Sequence, residues 1–119
     1  MRDLKIFDAE YKFLDIIWDR EPINSTLLTK ICLEKLGWKR TTTYTVLHKL
    51  CGREILKNEN ATVTALVKRE QVQKHESEVL LDKSFDGSLP AFLAAFLKDK
   101  KISKKEAEEL KKMIEEAAK

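Results

Sequence analysis

The sequence predicts a mainly α protein with one small β-hairpin: an N-terminal helix-turn-helix unit closed by the hairpin, then a C-terminal region of three helices. Three observations predict it. Apolar residues recur at three- and four-residue spacing along most of the chain, the period of one helix face. That period breaks once, between Glu54 and Val67, where β-branched residues and an Asn-rich turn stand instead. Helix punctuation (Pro22, Gly37, Gly87 and Ser103) separates the periodic stretches.

The first helix is expected from Asp8 to Asp19, with Tyr11, Leu14, Ile17 and Trp18 on one face and Asp8 as its N-cap. Pro22 ends it, and Ile23 is a candidate for a very short strand. Asn24 or Ser25 caps a second helix that buries Leu27, Leu28, Ile31, Cys32 and Leu36 and stops at Gly37. A third helix, about Thr41 to Arg53, turns Val46, Leu47 and Leu50 inward. Thr41, Thr45, His48, Lys49, Gly52 and Arg53 fall on its outer side. Ile55-Leu56-Lys57 and Thr62 to Val67 suit two strands joined by an Asn58-Glu59-Asn60 turn.

The rest is helical. A fourth helix runs from Glu70 to about Phe85, with Val72, Val79 and Leu80 among its apolar positions. Ser88 caps a fifth that has Pro90 in its first turn and carries Leu89, Phe92, Leu93, Phe96 and Leu97. Ser103-Lys104-Lys105-Glu106 has the form of a capping box and opens a sixth, with Ala107, Leu110, Met113, Ile114 and Ala117. The boundary between halves is expected near Glu70, giving domains 1–69 and 70–119.

At 119 residues, 43% of them hydrophobic, the chain is long and apolar enough to bury a core. The net charge of +3 decides little, but its placement is uneven. From Lys35 to Lys57 stand Lys35, Lys39, Arg40, Lys49, Arg53 and Lys57 against Glu54 alone. Such a cluster is a candidate nucleic-acid footprint. Cys32 and Cys51 have no zinc-ligand spacing and read as reduced packing residues. Met1 to Phe7 has no apolar leader core, and no run is long enough to span a bilayer, so a cytoplasmic protein without a membrane partner is expected. His48 and His75 have no nucleophile or carboxylate at a catalytic spacing, and the three glycines form no phosphate loop. The carboxylates fall in helical pairs such as Glu108–Lys112 and Lys111–Glu115. The sequence therefore predicts no enzyme, no cofactor and no metal site.

A helix-turn-helix seats its second helix in the major groove, with the first residues of that helix against base edges. Here those residues are Thr41, Thr42, Tyr44 and Thr45, and a threonine offers both a hydroxyl and a methyl that can meet a thymine methyl. Lys39, Arg40, Lys49, Arg53 and Lys57 are placed to neutralise phosphates. The partner implied is double-stranded DNA. The alternative is a protein-interaction adaptor that shares the helix-turn-helix shape. In the second half, Val72, Val79, Leu80, Leu89, Phe92, Leu93, Phe96, Leu110, Met113 and Ile114 are more apolar surface than three short helices can hide alone. A homodimer through these residues is expected; the alternative is that they fold back on the first half.

Several stretches resemble one family. Asp8-Ala-Glu, Ile17-Trp18, the block from Trp38 through Thr41-Thr42-x-Tyr44-Thr45-Val46-Leu47-x-Lys49-Leu50, and Phe85-Asp86-Gly87-Ser88-Leu89 are similar, in order and spacing, to the penicillinase repressor family. That family includes repressors of β-lactamase, methicillin resistance and copper transport. The resemblance implies an N-terminal winged helix, a helical dimerisation domain, and repression at palindromic operators with TACA/TGTA-like half-sites. It implies base contacts from Thr42 and Thr45; Thr41 and Lys49 stand at positions that are often basic. In the antibiotic-sensing members a regulatory protease pathway leads to cleavage in the fifth helix, and the matching bond here is Ala95–Phe96, with Ala95 where the usual residue is Asn. The copper members carry a C-terminal cysteine cluster that this chain lacks. The family's glycine before the wing is Glu54 here, and the basic residues available to the wing are Lys57, Lys68 and Arg69.

Overall fold

Helix α1 (Asp8–Arg20) sets the core by turning Phe13, Leu14, Ile16 and Ile17 inward in the computed structural model, which describes residues 3–119. The stretch Met1 to Phe7, expected to hold no leader, begins outside the described residues. The N-cap of α1 is Phe7, and Asp8 is the first helical residue instead of the cap. The reason lies in Glu10, whose Oε1 accepts the Phe7 amide at 3.0 Å, the backward reach of an acid at the third helical position.

Strand β1 (Ile23–Asn24) leads directly into α2 (Ser25–Leu36). The Asn24 side chain caps α2, accepting from the amides of Thr26 at 2.8 Å and Leu27 at 3.3 Å. Of the expected α2 stripe, Leu28 and Cys32 are buried and Ile31 and Leu36 half-buried, whereas Leu27 is exposed in the first turn. After the α2 end at Gly37 comes α3 (Arg40–Gly52), which buries Thr43, Leu47 and Leu50.

Helix α3 closes through a left-handed residue. Glu54 has φ of 61°; its amide donates to the Cys51 carbonyl and the Ile55 amide donates to the Leu50 carbonyl, both at 3.0 Å. This is the paired end-bond pattern that usually has glycine at the left-handed position, and Leu50 and Ile55 supply its buried apolar contact. The glycine departure therefore leaves the helix end intact, with a glutamate in a conformation that costs an L-residue about 1–2 kcal/mol.

Strands β2 (Leu56–Glu59) and β3 (Thr62–Ala65) form the hairpin, and β1 pairs on the other edge, giving the order β1-β3-β2. Ile23 faces Val63, and Glu59 faces Thr62. The expected Asn58-Glu59-Asn60 turn lies further along. Asn58 and Glu59 belong to the ladder, and Asn60 and Ala61 turn the chain with φ of 53° and 62°. Two positive φ values suit a two-residue loop, because that backbone twist matches the twist of the strands.

The described residues fall in two compact units, one ending at Val79 and the other Leu80–Lys119. Phe13, Leu14, Ile17, Leu28, Leu50, Ile55, Val63, Val67 and Val72 form the core of the first. Each apolar side chain of this kind contributes roughly 1.5–3 kcal/mol on burial. Helix α4 (Arg69–Phe85) begins in this unit. Val72, expected at a dimer interface, is instead wholly buried within the chain. In the second unit, Ser88 caps α5 (Leu89–Leu97) and Ser103 caps α6 (Lys104–Ala117), through the amides of Ala91 at 3.1 Å and Glu106 at 3.0 Å. Phe92 contacts Phe85 edge-on at 5.5 Å and stacks with Phe96 at 5.8 Å. None of the apolar side chains in this unit is fully buried.

Candidate nucleic-acid interface

Burial of Thr43, Leu47 and Leu50 fixes the rotation of α3, and that rotation decides what its outer side presents. Thr41, Thr42, Thr45 and His48 are exposed together. The Thr45 hydroxyl donates to the Thr41 carbonyl at 2.9 Å. Its proton is thus spent within the helix, and Thr45 offers the surroundings an acceptor oxygen and a methyl.

Tyr44 is placed differently from its three threonine neighbours. It is half-buried, its hydroxyl donates to Ser25 Oγ on α2 at 3.4 Å, and the Arg40 guanidinium lies 5.6 Å from its ring centroid. Tyr44 joins α3 to α2 in this structure and stands outside the exposed row. Beside it, Tyr44, Leu47, His48, Cys51 and Asn58 line a shallow groove between α3 and β2. Burial pushes the thiols of Cys32 and Cys51 above their ordinary range, so both are held as free thiols and not as reactive thiolates.

The expected phosphate ligands divide into free and committed cations. Lys39 and Arg40 are exposed at the start of α3. Lys49 is exposed, with Nζ 3.4 Å from Glu10 Oε2. Lys57 forms a 2.8 Å pair with Glu59, which raises the lysine's pKa, lowers that of the carboxylate and offsets the charge of the wing. Arg53, expected on phosphate, is turned inward instead. Its Nη2 donates to the carbonyl oxygens of Asp3 at 3.0 Å and Lys5 at 2.5 Å, and its Nη1 lies 3.6 Å from Glu10. Arg69, expected to serve the wing, is likewise committed: it bonds Asp19 at 2.7 Å and Asp15 at 3.2 Å and lies 5.3 Å from the Trp18 ring centroid. The Arg69 hydrogen bond holds the Asp19 carboxyl below its ordinary value. Lys68 is exposed beside it.

Sequence reasoning missed Glu10, Lys5 and Phe7. Glu10 is buried although charged, because it joins the cap of α1 to Lys49 of α3 and to Arg53 at that helix's end. The spacing of Phe7 and Glu10 held one usable sign, the acid three residues beyond a cap; the pairing with α3 had none.

In the second unit Leu80, Leu89, Phe96, Met113 and Ile114 are exposed, as is Val79 at the end of the first. Phe92, Leu93 and Leu110 are half-buried, and Ala95 is exposed within α5. Lys111 pairs with Glu108 on α6 at 3.5 Å, at a spacing of three residues in place of the expected four-residue pairs Glu108–Lys112 and Lys111–Glu115. Among the described residues, no helix is long and apolar enough to cross a membrane.

Comparison with known proteins gives two concordant results. The family model described as penicillinase repressor matches residues 6–116. A penicillinase repressor from Staphylococcus aureus is 23% identical over 125 residues, covering 99% of this chain and 97% of the relative.

Proposed function

Because the chain belongs to the penicillinase repressor family, whose members repress transcription by binding DNA, we propose that it acts as a homodimer on a palindromic operator. Each protomer seats α3 in the major groove of one half-site, and a TACA/TGTA-like repeat is the first sequence to try. The exposed row of Thr41, Thr42 and Thr45 is the observation that carries this reading: three small side chains on a helix whose opposite side is locked into the core. Small residues admit the helix deep into the groove, and their methyls and hydroxyls suit thymine-rich half-sites. Lys39, Arg40 and Lys49 hold the register through phosphates, whereas Lys57 is a weaker contact because Glu59 shares its charge.

The first unit, in this reading, binds DNA and the second dimerises, through Leu80, Leu89, Phe92, Leu93, Phe96, Leu110, Met113 and Ile114, joined by Val79 at the end of the first. Contact residues that are half exposed in one chain become the core of a two-fold interface. Cleavage at Ala95–Phe96 by a regulatory protease would cut α5 near its end, sever most of it from α6 and dissolve that interface; the bond lies inside the helix, so a turn of α5 must open first. The protein works where its DNA is, in the cytoplasm, and no enzymatic step is assigned to it.

The test is an electrophoretic shift against a TACA-n-TGTA palindrome and a scrambled duplex across a salt series. Preference for the palindrome at physiological salt supports the repressor reading. Equal, salt-sensitive binding to both removes the operator sequence from it. No shift at low salt replaces it with the adaptor reading.

A further inference from the structure

Asp3 to Phe7, the described residues ahead of α1, are pinned to the end of α3. Arg53 reaches the carbonyls of Asp3 and Lys5 through one nitrogen and Glu10 through the other. Glu10 in turn holds the Phe7 amide and lies against Lys49. One buried carboxylate therefore faces two cations, Lys49 of α3 and Arg53 just past its end, and a positive charge is left over before Lys5 is counted. Asp3, the acid nearest Lys5 in the chain, accepts the Lys5 backbone amide at 2.9 Å.

Lys5 and Lys49 share one ring. Their ammonium groups lie 5.4 Å and 5.7 Å from the Phe7 centroid, so their separation is at most those two lengths laid end to end. Phe7 is half-exposed, and both lysines are exposed. Two like charges held around one ring repel, and an anion between them relieves that repulsion. Lys49 follows Thr45 by one turn of α3, on the side that carries this segment.

We propose that Lys5 and Lys49 together bind backbone phosphate at the wall of the groove that α3 enters. Phe7 spaces the two lysines, and Arg53 and Glu10 form the clasp that holds them. The proposal rests on the DNA-binding reading above. It makes the N-terminal segment part of the DNA-binding face and reassigns Arg53 from a phosphate ligand to a positioning residue. Ammonium groups suit the task because they act on phosphate as point charges, giving affinity without sequence preference.

The test is the salt dependence of duplex binding by the full chain, for wild type, Lys5→Gln, Arg53→Gln and the double variant. Each lost phosphate contact lowers the slope of log affinity against log salt by about 0.9. Lys5→Gln is expected to lose about one such contact on operator and scrambled duplex alike. Arg53→Gln releases the segment, so adding Lys5→Gln to it is expected to lower the slope no further. A Lys5→Gln slope equal to wild type overturns the phosphate site. Additive losses overturn the clasp. Wild type that binds no duplex overturns the DNA reading and this proposal with it, whereas unchanged slopes on a binding wild type overturn this proposal alone. Lys5 is exposed outside the core, so its variant decides the phosphate contact even where Arg53→Gln does not fold.

Discussion

The two units are both rich in apolar side chains and use them in opposite ways. In the unit ending at Val79, Phe13, Leu14, Ile17, Leu28, Leu47 and Leu50 are hidden, and the polar side of α3 is turned outward. In Leu80–Lys119, Leu89, Phe96, Met113 and Ile114 are left half open to water, and nothing apolar is fully enclosed. So short a stretch of chain is too small to enclose a core by itself. The contrast separates two kinds of apolar residue: those that complete a fold within one chain, and those whose burial awaits another surface. The proposed dimer assigns that surface to a second copy.

Substitutions break or sharpen this contrast in order of size. The largest effect is expected from Phe13→Ala. Phe13 is wholly buried and stacks on Trp38 at 5.5 Å, and its loss should cost about 3–5 kcal/mol of stability by urea unfolding. Next comes Ile114→Glu, at a side chain 53% exposed in the single chain. It should leave the unfolding of the first unit unchanged, yet shift sedimentation at micromolar protein from dimer to monomer and weaken operator binding. Loss of the first unit's stability without loss of the dimer would reverse the contrast. Thr42→Ala comes third: it should leave both folding and assembly alone and reduce discrimination between operator and scrambled duplex by about 1–3 kcal/mol.

Glu54→Gly is smaller and of opposite sign. Glycine relieves the left-handed φ of 61° but gives the unfolded chain more freedom, so the variant should gain up to about 1 kcal/mol in urea unfolding. The smallest effect concerns Asp19. Arg69 holds its carboxyl below the ordinary 3.8. A lowered folded pKa means that the link stabilises the fold above the ordinary carboxylate range and is lost as pH falls through the lowered value. Asp19→Asn should therefore differ from wild type at neutral pH and converge with it in strong acid, as thermal melts over a pH series would show. Asp19 is exposed and Arg69 only partly buried, so the difference is small.

The elements were legible because helix and strand signals are local. The spacing of Leu14, Ile17, Leu47 and Leu50 places each on an inner face, and Ser88 and Ser103 mark helix starts at the residues where they act. The exposed threonines of α3 were legible for the same reason, since the inner residues of a helix dictate its outer ones. The turn was less so: Asn58 and Asn60 have similar local chemistry, and the Glu59–Thr62 register decides which of them bends the chain.

What the sequence by itself determined is the order of elements, the inward faces and the apolar surplus of the second half, all properties of residues within a few turns of each other. Only tertiary structure decided the fate of the charges and of Val72. Arg53, Arg69 and Lys49 look alike in sequence, yet Arg53 is bound to carbonyls some fifty residues away, Arg69 to Asp15 and Asp19, and Lys49 stays exposed to solvent while pairing with Glu10. A long cationic side chain takes whichever acceptors the fold brings within reach. Those acceptors come from distant parts of the chain, so periodicity carries no record of them.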